Sequence, residues 1–126
     1  MILTIPDPVY AQDVLVAIGE ESEVKIIRAA IKAGYAVPDP EEWGRMLEMS
    51  GADGRTVGDR DSGLVVIRMH RLRRGNPADL ATLVHECVHA GTMLFDRIGF
   101  PLKNKTDEPF AYYVAFLVRS VLEKMK

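Results

Sequence analysis

The sequence predicts an α+β domain in which a small β-sheet carries helices packed on one face. Two observations carry this reading. The apolar segments run in the order strand, strand, helix, helix, strand, helix, helix. The 126 residues, 48% of them apolar and 27% charged, suffice for one hydrophobic core and exclude a disordered chain. A single domain over 1–126 follows, with no internal repeat and no linker.

Each element has a local cause. Residues 2–5 are apolar, stop at Pro6 and Pro8, and read as a strand. A second short strand spans 13–18 and ends at Gly19. Over 21–33, Val24, Ile27, Ala30 and Ile31 follow helical spacing, with Glu20, Glu21 and Glu23 at the dipole-favoured start and Gly34 just past the end. Asp39, Pro40 and Glu42 suit the cap, first position and third position of a short helix through Met49, with Trp43, Met46 and Leu47 as its core or lid face. Residues 51–63 read as the clearest loop, and 64–69 as a strand rich in branched residues. Asn76, Pro77 and Asp79 open the best helix, which runs to about Ile98 and ends at Gly99. Its apolar stripe is Leu80, Leu83, Val84, Cys87, Gly91, Leu94 and Ile98. A last helix starts near Thr106 or Asp107 and carries Phe110, Val114, Leu117, Val121 and Leu122.

Composition narrows the function classes. The formal charge, 16 − 18 = −2, gives no general argument for nucleic acid or an anionic membrane. Cys87 is the only cysteine, which excludes an internal disulfide and fits a reducing compartment. No segment approaches the roughly 18 apolar residues of a membrane span. The first residues lack a basic region before an apolar stretch, so they do not read as a signal peptide. The expectation is a soluble cytoplasmic domain.

The informative stretch is His85-Glu86-Cys87-Val88-His89, an HExxH pattern inside the best helix. Residues four apart lie one above the other on a helix, so both imidazoles can face one ion. Neutral imidazole is a good zinc ligand at about 2.0–2.1 Å. Glu86 is rotated about 100° from His85, beside the ion, where a base acting on metal-held water stands. Cys87 is about 200° round and points to the core. Ordinary residue frequencies put this pattern by chance in about one such chain in a few hundred. The bland alternative is a solvated His-Glu-His face or hydrogen-bonded core histidines.

Catalytic zinc usually has three protein ligands and an open position. Glu108, 108 − 89 = 19 residues after His89, is the strongest third candidate. It sits in the first turn of the next helix, and Ala111 one turn later lets the two helices approach. A dipole-favoured acid is its plain reading. Asp96 lies about 10 Å along the same helix, too far to share the ion. His70 ends the strand over 64–69, where a surface role competes with ligand or oxyanion donor.

With these residues the sequence resembles the gluzincin-type zinc metallopeptidases, particularly the small single-domain zincins of phages and prophages. His85, Glu86, His89 and Glu108 carry the resemblance, and Glu108-Pro109-Phe110-Ala111 stands where the family has a downstream Glu-x-x-Asp or Glu-x-x-Ala element. The match covers about the last fifty residues. It implies a zincin-like α+β fold, a small mixed sheet with an active-site helix and a C-terminal helix on one face. It implies Zn²⁺ and hydrolysis of a peptide or protein substrate by a Glu86-assisted, zinc-held water. An extended substrate would lie along the strand over 64–69, taken as the edge strand beside the cleft. Ala111 replaces the acid that often orients a ligand histidine. Tyr112, four residues after Glu108, is the first choice of oxyanion donor, ahead of Tyr113 and His70. The alternative is a catalytically inactive zincin-like module that binds a phage–host or virion-associated partner.

Arg68 to Arg74 form a basic cluster. Without a Gly-rich phosphate loop or an aromatic platform, pairing with the protein's own acids is favoured over nucleic acid. Asp53, Asp59 and Asp61 lack EF-hand spacing.

Overall fold

A computed structural model describes residues 1–7, 9–10, 12–103 and 107–126. It has an α+β architecture: strands β1 (Ile2–Ile5) and β2 (Val14–Ile18), helices α1 (Glu23–Lys32) and α2 (Pro40–Met46), strands β3 (Gly54–Gly58) and β4 (Val65–Met69), and helices α3 (Pro77–Arg97) and α4 (Asp107–Lys124). The mixed sheet has the order β1-β2-β4-β3. β2 and β4 pair in parallel, with Val16 opposite Ile67, and β1 and β3 flank them antiparallel.

Both faces of the sheet are covered, a correction to the expectation of helices on one face only. Val14, Val16, Ile18, Val65, Ile67 and Met69 pack against α3 and α4. Leu15, Ala17 and Val66 face α1 and α2, where Ile26, Ala30, Trp43 and Leu47 complete a second cluster. A strand with helices on both sides has no solvent face, so β2 and β4 are buried at every position. On α1 the inward residues are Ile26 and Ala30, while Val24 and Ile31 are exposed. α2 ends at Met46, capped by Leu47, rather than at Met49.

Two expectations about the strands change. Residues 54–58, read as loop, form β3, and β3 is an edge. The strand over 64–69, expected as the edge, is interior, with neighbours on both sides. β3 looks like a loop in sequence because it reads Gly-Arg-Thr-Val-Gly. Gly54, Thr56 and Gly58 face α3, and α3 lies too close for larger side chains. A Cβ on Gly54 would stand 2.9 Å from both Glu86 Cγ and Thr82 Cγ2, and one on Gly58 would stand 2.6 Å from Met93 Sδ. Alternate small residues are the footprint of the helix.

α3 forms as its caps dictate. The Asn76 side chain accepts from the Asp79 N–H at 3.0 Å, Pro77 opens the helix, and Gly99 follows its end at φ 71°. Its buried stripe is Leu83, Glu86, Cys87, Ala90, Gly91, Leu94 and Phe95. Leu80, Val84 and Ile98, expected inside, remain about two-fifths exposed. α4 turns Tyr113, Leu117 and Val121 inward. Its start is described from Asp107; Thr106 lies outside the described residues. Among the described residues, no helix is long and apolar enough to cross a membrane.

Candidate functional site

The site is built on α3, which is fixed to the sheet at its start. Asp79 takes hydrogen bonds from the Arg73 backbone N–H and Nε, both at 2.8 Å, and from Nη2 at 3.2 Å. These bonds hold its carboxyl down to about 2. The clamp ties the connection from β4 to the first turn of α3, and the buried stripe of Leu83, Cys87, Ala90 and Leu94 sets the rotation of the helix.

That rotation exposes His85 and His89 together. Their Nε2 atoms are 3.1 Å apart, with ring centroids 4.8 Å apart at 75°. Two nitrogens about 2.0–2.1 Å from one tetrahedral ion stand about 3.3–3.4 Å apart, so the pair fits two zinc ligands with a small adjustment. A single N–H between the rings satisfies the same distance.

Glu86 has the environment of a positioned carboxyl. It is 4% exposed, between α3 and the edge strand. The Thr56 hydroxyl donates to its Oε2 at 2.6 Å, with the Glu86 carbonyl as a second acceptor at 3.1 Å. Among the described residues Oε1 makes no such bond, and it lies on the Gly54 side. A cleft of about 360 Å³ opens there, lined by Asp53, Gly54, Ala81, Thr82, His85 and Glu86. An adjoining recess of about 320 Å³ shares Asp53 and Thr82 with it and reaches His70, Arg71 and Glu20. Cys87 faces the core, fully buried, and burial pushes its thiol up to about 12.

The expected third ligand is not gathered in. Glu108 is exposed in the first turn of α4. Among the described residues, no three His, Cys, Asp or Glu side chains stand together as a metal-holding group. Helical periodicity places Glu108 on the α4 face of Ala111, Ala115 and Val118, which borders Val84 and Val88 beside the two histidines. Tyr112 is 73% exposed, while Tyr113 is buried edge-on to Tyr10 at 5.9 Å. His70 is exposed at the end of β4, 3.9 Å from Glu20. Asp96 pairs with Arg60 at 3.5 Å.

The basic cluster is divided. Arg68 is buried and donates to Glu23 Oε1 at 2.7 Å, to the Leu47 carbonyl at 2.6 Å and to the Glu21 carbonyl. Arg71 and Arg73 both pair with Asp79. Gly54 and Thr56 are residues of the candidate site, in contact with Glu86, that the sequence reading missed; the signal for them was the alternation of small residues in Gly-x-Thr-x-Gly.

Comparison of this chain with protein-family models, with curated proteins and with solved structures gives no match.

Proposed function

We propose that this protein is a zinc-dependent metallopeptidase of the HExxH…E type. The observation that carries the reading is the paired imidazoles of His85 and His89, set one residue from a buried, hydrogen-bonded Glu86 at the foot of an edge strand. His85 and His89 would hold the ion, with Glu108 brought in from α4. Bound zinc supplies Lewis acidity to a carbonyl oxygen and to water.

The chain's own residues do the rest. Thr56 occupies Glu86 Oε2 and leaves Oε1 to take a proton from the attacking water and return it to the departing amine. The outer backbone of β3 offers N–H and C=O groups to an extended peptide, and Gly54 leaves the space beside Glu86 Oε1 free of a side chain. Tyr112, on the same α4 face as Glu108, is the candidate donor to the oxyanion. The outward position of Glu108 favours a second reading, a zincin-like module that binds a partner without hydrolysis.

Two measurements test this. Metal analysis of the purified protein should find about one zinc per chain, lost in His85→Ala. Glu86→Gln should keep the zinc and lower hydrolysis of a mixed peptide pool by about 10²–10⁴-fold. Hydrolysis absent in the wild type, with zinc or without it, selects the binding module; no zinc at all removes the peptidase.

A further inference from the structure

A second recess lies on the other side of α3. α3 and α4 pack through their inner faces, where Leu83 and Cys87 share a core with Leu117 and Val121 and Gly91 faces Phe110 and Tyr113; a Cβ on Gly91 would stand 2.8 Å from Phe110 Cε2. Beyond that contact the outer surface of the helix pair is a trough of about 830 Å³. Leu80, Val84 and Val88 form one flank, and Ala115, Val118 and Leu122 the other. At Leu122 and Lys126 it continues into a pocket of about 430 Å³ beneath Arg73 and Arg74. Leu80, Val84, Val88 and Leu122 are each 38–42% exposed, so the patch is contiguous rather than scattered.

The charges that line it are mostly basic, in a chain of net charge −2. Arg74, Arg119 and Lys126 line the trough and its extension, and among the described residues none has an ion-pair partner. Glu123 is the acid among the lining residues. Basic groups over an apolar floor match an occupant that is apolar on one face and acidic beside it. The trough follows α4 for about four turns, roughly 20 Å, the reach of a docked helix. A bilayer is flat at this scale and leaves such a recess unfilled.

We propose that the α3–α4 trough is a docking site for an acidic amphipathic helix of a partner protein. The site uses neither the paired histidines nor Glu86, and peptide binding is read without zinc or hydrolysis, so its test is separate from that of the metal reading.

The test uses two synthetic helical peptides, roughly eighteen residues long, with the same leucine ridge at i, i+3/i+4, i+7 spacing. One has glutamates flanking the ridge, the other lysines. Fluorescence anisotropy should show that the full chain binds the glutamate peptide and not the lysine peptide. Leu122→Glu, at a largely exposed position, should weaken binding about tenfold or more. The double variant Arg119→Glu/Lys126→Glu leaves the apolar floor intact and should reverse the preference between peptides. Equal binding of both peptides, or binding of neither, overturns the proposal. So does a wild-type dimer in analytical ultracentrifugation that Leu122→Glu dissociates, which makes the occupant a second copy. Stronger binding to phosphatidylserine vesicles than to the glutamate peptide overturns it in favour of a membrane surface.

Discussion

The two flanks of α3 are built differently. On the β3 side, contact is tight and polar: Gly54 and Gly58 admit the helix, and Thr56 holds the Glu86 carboxyl at 2.6 Å. On the α4 side, contact is apolar: Gly91 meets Phe110 and Tyr113, Leu83 and Cys87 share a core with Leu117 and Val121, and an apolar trough runs along the outer surface, with Glu108 exposed in the first turn of α4. The difference teaches that the group proposed to move protons is fixed by the fold itself. The third candidate ligand depends on the placement of another helix.

The largest effect that sharpens this contrast is loss of hydrolysis in Glu86→Gln with zinc retained, since Glu86 belongs wholly to the closed flank. Next is a matched pair of glycine substitutions. Gly54→Ala brings a methyl to 2.9 Å from Glu86 Cγ, and Gly91→Ala brings one to 2.8 Å from Phe110. Each should destabilise by about 1–3 kcal/mol through overpacking, read as a denaturant midpoint. Their functional effects should divide: Gly54→Ala lowers kcat at nearly unchanged zinc affinity, while Gly91→Ala lowers zinc affinity by shifting the turn that carries Glu108. Equal losses of both properties in both variants would erase the distinction between the flanks.

Thr56→Val comes third. It removes the hydroxyl and leaves a buried carboxyl oxygen unsatisfied, at a cost of about 1–3 kcal/mol. Thr56→Ser should recover most of that stability, because the hydroxyl returns. Recovery absent in the serine variant would assign the loss to packing.

The smallest effect is in the pH dependence. Asp79 is held down to about 2, below the ordinary Asp value of about 3.9, so its clamp on Arg73 contributes fully above about pH 4 and is lost as pH falls towards 2. Denaturation midpoints across that window should fall less in Asp79→Asn than in the wild type. A wild-type midpoint flat from pH 4 to 2 would show that the clamp does not contribute.

The extent and caps of α3 were legible, though not the whole of its buried stripe: Leu80, Val84 and Ile98 were expected inside and are exposed. Asn76, Pro77, Asp79 and Gly99 set its ends, and the i, i+4 spacing set His85 and His89 on one face, because caps and helical phase depend on neighbours along the chain. The inward direction of Cys87 was read in the same way. The inward face of α1 was not: Val24 and Ile31 fit the helical period as well as Ile26 and Ala30 do, and the packing against Trp43 and Leu47 chose between them.

By itself the sequence determined the helix that bears the motif, its caps and the relative phase of His85, Glu86 and His89. Only the tertiary structure decided that 54–58 is the edge strand, that Thr56 grips Glu86, that both faces of the sheet are covered, and that the α3–α4 pair leaves a trough. The physical reason is range. A helix closes its hydrogen bonds within a few residues of chain, whereas Gly54, Thr56 and Gly58 become a strand only because β4 pairs with them and α3 requires small side chains above them.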